Sequence, residues 1–148
     1  MDHVQQFREN GYAIIRGFLP PDDVAELVAA LERVNVEALK HHTTYRDHNV
    51  LYEVHTDPLL NERVCLQAHW TCWTDATMER MRRHPRYLEA LEPLLGRDIK
   101  HYANQIHWKP PGAKYTYYRY HQDIKFRAHP ELFGDLDHGW VTTGLALN

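Results

Sequence analysis

Apolar and polar positions recur along this chain with two different periods. Val24, Leu27, Val28, Leu31, Val34 and Ala38 are spaced by threes and fours, which predicts an amphipathic helix of about four turns. Pro20-Pro21 and the acidic Asp22 and Asp23 mark its start, since proline suits a first turn and carboxylates favour the positive end of a helix. A shorter helix is expected behind Asp2, with Gln5 at the capping-box position and Asn10-Gly11 as its stop. Tyr12–Ile15 then reads as a strand. Thr74 is placed to cap a helix carrying Met78 and Met81, and His84-Pro85 to open another with Leu88, Leu91, Leu94 and Leu95 inside and Gly96 at its end.

Past residue 98 the period becomes two. Tyr102, Asn104, Ile106 and Trp108 alternate with Ala103, Gln105, His107 and Lys109, so Ile99–Lys109 reads as a strand. Pro110-Pro111-Gly112 is a turn signal. The aromatic run Tyr115–Phe126 follows as a second strand, and Val141–Leu147 as a last one. Between the halves, His41–Trp73 lacks clear periodicity: Val50–Val54 reads as a short strand and Asn61–Trp70 as a helix. Such a long irregular segment suits the wall or lid of a pocket. Trp70 and Trp73 are candidates to line one, with core packing as their ordinary role. Helices first and strands afterwards predict a single α+β domain, an antiparallel sheet buttressed by helices. Residues 1–97 would be the buttress with one early strand, and 98–148 the first strands of the sheet.

Composition narrows the function. The chain has 148 residues, a formal charge of -3, 25% charged and 43% hydrophobic residues, which fits one ordinary globular domain. The slight negative charge gives no reason to expect nucleic acid or an anionic membrane as partner. No apolar run is long enough to span a bilayer, and the N-terminus lacks the apolar core of a secretory signal. A cytoplasmic location is expected, with Cys65 and Cys72 as free thiols, their spacing matching no zinc motif.

The chemistry concentrates at His121-Gln122-Asp123. In an extended strand, residues two apart share a face, so this imidazole and carboxylate can converge. Together with a second histidine they form the facial triad of non-haem Fe(II) sites. The spacing is not selective by itself, because 12 histidines and the aspartates of this composition yield about one His-x-Asp match by chance. A second match, His55-Thr56-Asp57, is present. The aromatic, β-prone surroundings of His121 favour the first, whereas Asp57 precedes a proline that would end a strand ladder. The remaining histidines read as surface or hydrogen-bonded residues.

Three segments, Phe7–Leu19 (FRENGYAIIRGFL), Gln105–Gly112 (QIHWKPPG) and His121–Asp123 (HQD), together resemble the phytanoyl-CoA dioxygenase family. The resemblance implies a double-stranded β-helix, the cupin-like jelly roll, with helices packed outside it. It also implies an oxygenase that uses Fe(II) and 2-oxoglutarate with O2 to hydroxylate a C–H bond of a small organic substrate. By the same resemblance, His121 and Asp123 are iron ligands and Gln105 falls at a 2-oxoglutarate contact. Pairing across a tight Pro110–Ala113 turn would put Tyr118 opposite Gln105, where both can touch one ligand. The family's third ligand, a late histidine, and the arginine that pairs the far carboxylate of 2-oxoglutarate have no counterpart here. His129 and His138 lie in a loop-like stretch unsuited to replace that histidine. The chain is therefore expected to hold only part of the barrel and of the site, to be inactive alone, and to self-associate through an unpaired sheet edge. Retention of Asp123 implies hydroxylation, since halogenating relatives give up this carboxylate to seat chloride. The competing readings are a non-catalytic interaction or regulatory fragment of the same fold, and a zinc or cupin-type hydrolytic site.

Overall fold

A computed structural model of the chain describes residues 2–116, 119–121, 123 and 139–147. Its elements are α1 (His3–Asn10), α2 (Pro21–Ala38), β1 (Tyr45–Asp47), β2 (Val50–Asp57), β3 (Glu62–His69), a 3-10 turn (Thr71–Trp73), α3 (Ala76–Arg82), α4 (Pro85–Leu95) and β4 (Gln105–His107). They fall into two compact units. A helical unit comprises Met1–Pro21, His84–Lys100 and Tyr120–Asn148, and a sheet unit comprises Asp22–Arg83 and His101–Arg119.

In the helical unit the local signals act as read. The Asp2 carboxylate accepts the Gln5 N–H at 2.8 Å, and Gly11 closes α1 in the left-handed region at φ 77, its N–H bonded to Phe7. The capping box does not close, because the Gln5 side chain donates to Glu9 instead. His84 caps α4 through its own ring and Pro85 begins it. Arg86 donates to the carbonyls of Gly17 and Phe18 at 3.0 and 2.6 Å, and the Phe18 and Tyr87 rings meet edge-on. The strand expected at Tyr12–Ile15 does not form; the Ile14 N–H bonds the Gln6 side chain, and Tyr12 and Ile14 are each 60% exposed. The inward role expected for Leu88 also fails, since α4 has no buried residue.

The sheet unit holds a four-stranded antiparallel sheet in the order β1-β2-β3-β4. Val50, Tyr52 and Val54 of β2 and Ala68 of β3 point to its core face, and α2 brings Leu27, Ala30, Val34 and Ala38 into the buried set. Arg33 pairs with Asp75, and Arg80 with Asp23 and Glu26, tying α2 to the α3 region. Asp75, not Thr74, caps α3, accepting from Thr77 and Met78. Cys65 and Cys72 are free and buried, and burial pushes the Cys65 thiol up to about 12.

The largest correction is β3, expected as a helix. The turn at Asp57–Asn61 decides it. Asp57 is fully buried, and its carboxylate accepts the N–H groups of Leu59 and Leu60 at 2.9 and 3.1 Å. Asn61 sits at φ 53 and sends the chain back antiparallel to β2. A bulge follows: Glu53 pairs Gln67 and Val54 pairs Cys65, leaving Leu66 as the extra residue. β4 is shorter than the expected Ile99–Lys109 strand. The described residues of Tyr115–Phe126 and Val141–Leu147 carry no strand.

Candidate functional site

β2, β3 and β4 each carry a carboxylate or amide two residues before a histidine: Glu53 and His55, Gln67 and His69, Gln105 and His107. Because residues two apart share a face, the register assembles them on the face opposite the core. One cross-sheet row is Arg46, Leu51, His69 and Gln105, and the next is Glu53, Gln67 and His107. The histidines are held from behind. His55 Nε2 lies 3.0 Å from Glu53 Oε1, and His69 Nε2 lies 3.0 Å from Gln67 Oε1.

A directed chain of hydrogen bonds follows from the donor inventory. The Gln105 amide nitrogen can only donate, so at 3.2 Å it makes His69 Nδ1 an acceptor. His69 then carries its proton on Nε2 and donates to Gln67, while His107 Nε2 donates to Gln105 Oε1 at 3.4 Å. The His69 imidazole is neutral in this arrangement. Burial lowers the pKa of His69, helped by Arg46 and opposed by Glu53. His107 is exposed on its strand, yet enough protein crowds its ring that desolvation, then His69 and Lys109, lower its pKa too.

Beside this face lies a cleft of about 440 Å3 lined by Glu53, His55, Thr56, Leu66 and Tyr115. The bulge turns Leu66 to it, and the His55 and Tyr115 rings stand 6.2 Å apart across it. Asp57 sets its far wall. Besides the turn at Leu59 and Leu60, its second oxygen accepts the Lys114 N–H at 2.7 Å, across 57 positions of sequence. Burial alone would raise the Asp57 pKa, but backbone N–H groups of Leu59, Leu60, Lys114 and Tyr115 outweigh it and hold the carboxyl below its usual range. Gly112, at φ 79, completes the Pro110–Ala113 turn.

Gln105 therefore stands on a polar sheet face with both ends of its amide engaged. Tyr118, its expected cross-strand partner, lies outside the described residues, as do His129 and His138. In the helical unit, His121 Nε2 and Asp123 Oδ1 are 3.3 Å apart, with side chains 39% and 40% exposed. Neither residue lies in a strand. Among the described residues no group of three or more His, Cys, Asp or Glu side chains could hold a metal ion. The competing pair is otherwise occupied: His55 bonds Glu53, and the Asp57 oxygens are taken by backbone donors.

The sequence model of the phytanoyl-CoA dioxygenase family matches residues 7–145. The chain belongs to that family. Members of that family are oxygenases, generally dependent on Fe(II) and 2-oxoglutarate, and their fold is a cupin-like jelly roll. Of that fold the described residues show the helices and the antiparallel sheet. No curated protein and no solved structure matches the chain. Sequence reading singled out Gln105 but passed over Glu53, Gln67, His69 and His107 on the same face. The signal was present as the thrice-repeated acid-or-amide-x-histidine triplet, legible only once all three segments are known to be strands.

Proposed function

We propose that this chain is part of an Fe(II)/2-oxoglutarate-dependent oxygenase that hydroxylates a C–H bond of a small organic substrate, with the described sheet contributing to a jelly roll in a single domain spanning residues 1–148. The observation that carries the reading, beside family membership, is the His121–Asp123 pair. Two donors each about 2.1 Å from one metal, at right angles, lie about 3 Å apart, and a nitrogen and a carboxylate oxygen are the donor types non-haem Fe(II) takes. The observed 3.3 Å separation suits neighbouring positions on one ion.

In this reading His121 and Asp123 hold the iron, and Asp123 offsets part of its charge. Neither the third histidine nor the arginine for the far carboxylate is assigned to a residue of this chain. Bound Fe(II) and 2-oxoglutarate supply O2 activation coupled to oxidative decarboxylation; the protein's part is to orient the cofactors and keep water out. The chain works in the cytoplasm, and a sheet edge left unpaired brings copies together. Among the described residues no helix is long and apolar enough to cross a membrane.

Asp123→Ala should abolish substrate hydroxylation and succinate formation in the intact enzyme and weaken Fe(II) binding measured anaerobically. Native turnover and native Fe(II) affinity in that variant would refute the ligand assignment. The 148-residue chain alone should form no succinate at enzymatic rates.

A further inference from the structure

A second, smaller cleft of about 300 Å3 opens in the sheet unit, lined by Arg46, Asn49, Trp70 and Trp73. Arg46 is the β1 end of the row that runs through Leu51 and His69 to Gln105. One residue on its lining, Trp70 at φ 62, adopts the left-handed conformation that non-glycine residues rarely take, while His48, at φ 50, does so within the two-residue β1–β2 turn. Trp70 is held there by its N–H to the Asn104 carbonyl at 2.8 Å, with its indole against the His101 ring. Trp73 is 67% exposed, contrary to the core role expected of it. The Arg46 guanidinium and the Asn49 amide make no hydrogen bond or ion pair among the described residues. Next to the same turn, Thr71 Oγ1 and Asn104 Oδ1 are buried with no partner among the described residues. Strained backbone held in place beside unspent polar groups is the pattern of a binding site.

The lining chooses the ligand. A guanidinium fork pairs with a planar carboxylate, and indole faces take aromatic rings. Among the described residues Arg46 is the one cation on the lining, which suits a single negative charge better than a phosphate dianion. The volume lies at the small end of ligand pockets, room for one or two fused rings. We propose that this notch binds an aromatic monocarboxylate, its ring against Trp70 and Trp73 and its carboxylate on Arg46 and Asn49. The site needs neither iron nor 2-oxoglutarate, so it stands or falls separately from the oxygenase assignment.

The test is calorimetric titration of the full chain, free of iron and 2-oxoglutarate, with 2-naphthoate and with its neutral analogue 2-naphthylmethanol. Saturable binding of the acid is expected, weakened at least about tenfold by Arg46→Gln, by Trp73→Leu, and for the alcohol on the native chain. Both side chains are exposed, and circular dichroism checks that each variant keeps its fold. Absence of saturable binding, retained affinity in either variant, or equal binding of the alcohol overturns the proposal.

Discussion

The sheet unit and the helical unit are built on opposite terms. Every buried apolar side chain among the described residues except Leu19 belongs to the sheet unit. Its polar groups are organised too, in the Gln67–His69–Gln105–His107 chain and around the buried Asp57 carboxylate. Both units expose large apolar side chains, Tyr12, Ile14, Ile15, Leu88 and Tyr120 in the helical unit and Val28, Val36, Leu59, Trp73, Tyr102 and Tyr115 in the sheet unit. The helical unit, however, buries only Leu19 among its described apolar residues and is joined by caps and single contacts such as His3 Nε2 to the Ala90 carbonyl at 2.9 Å. Yet that unit holds His121 and Asp123. Well-packed structure and the candidate ligand pair are therefore not coextensive in this chain: the buried core lies in the sheet unit, and His121 and Asp123 lie in the helical unit.

If that contrast holds, the heaviest loss of stability comes from Asp57. Asp57→Ala leaves part-buried backbone donors at Leu59, Leu60 and Lys114 without their acceptor and empties a fully buried site, and a fall in Tm on the order of 10 °C is expected by calorimetry. A fall no larger than that of a surface substitution would remove the pin from the account. Next is Val54→Ala, a truncation at a site 2% exposed, expected to cost about 2 kcal/mol by urea unfolding. A smaller effect comes from pH. His69 and His107 have folded pKa values below 6.5, the unfolded value, so the unfolded chain takes up protons first. Stability is full above 6.5 and falls as pH drops below it, which urea midpoints at about pH 7.5 and about pH 5.5 will reveal. The double variant His69→Gln/His107→Gln should flatten that drop; an unchanged slope would place its origin elsewhere. Smallest is Leu88→Ala, at a position 53% exposed in the helical unit, where a change within about 0.5 kcal/mol is expected. A loss rivalling Val54→Ala would erase the distinction between the units.

Signals that act within a few residues were legible from the chain alone. Asp2 caps α1, Gly11 ends it, His84-Pro85 opens α4, and Pro110–Gly112 turns. The α2 stripe was read largely as it stands, although Val28 on that stripe is 44% exposed. The Glu62–His69 segment misled because its apolar run Val64-Cys65-Leu66 is continuous, and a bulge puts consecutive residues out of the two-residue alternation. Tyr12–Ile15 misled in the other direction. Its β-prone residues have no neighbouring strand among the described residues, and the Gln6 side chain takes a hydrogen bond a ladder would have supplied.

What the sequence determined by itself is the caps at Asp2, Gly11 and His84, the Pro110–Gly112 turn, the amphipathic α2 and the family. Each depends on groups within a few positions of one another or on the order of motifs along the chain. Tertiary structure alone decided that Glu53, Gln67, His69 and His107 join Gln105 on one face, and that Asp57 spends its carboxylate on Lys114 rather than on a ligand. Those outcomes rest on strand register and on a hydrogen bond between segments 57 positions apart. A shift of register by one residue sends every side chain to the other face, and in β2 and β3 the buried turn at Asp57 and the bulge at Leu66 set that register.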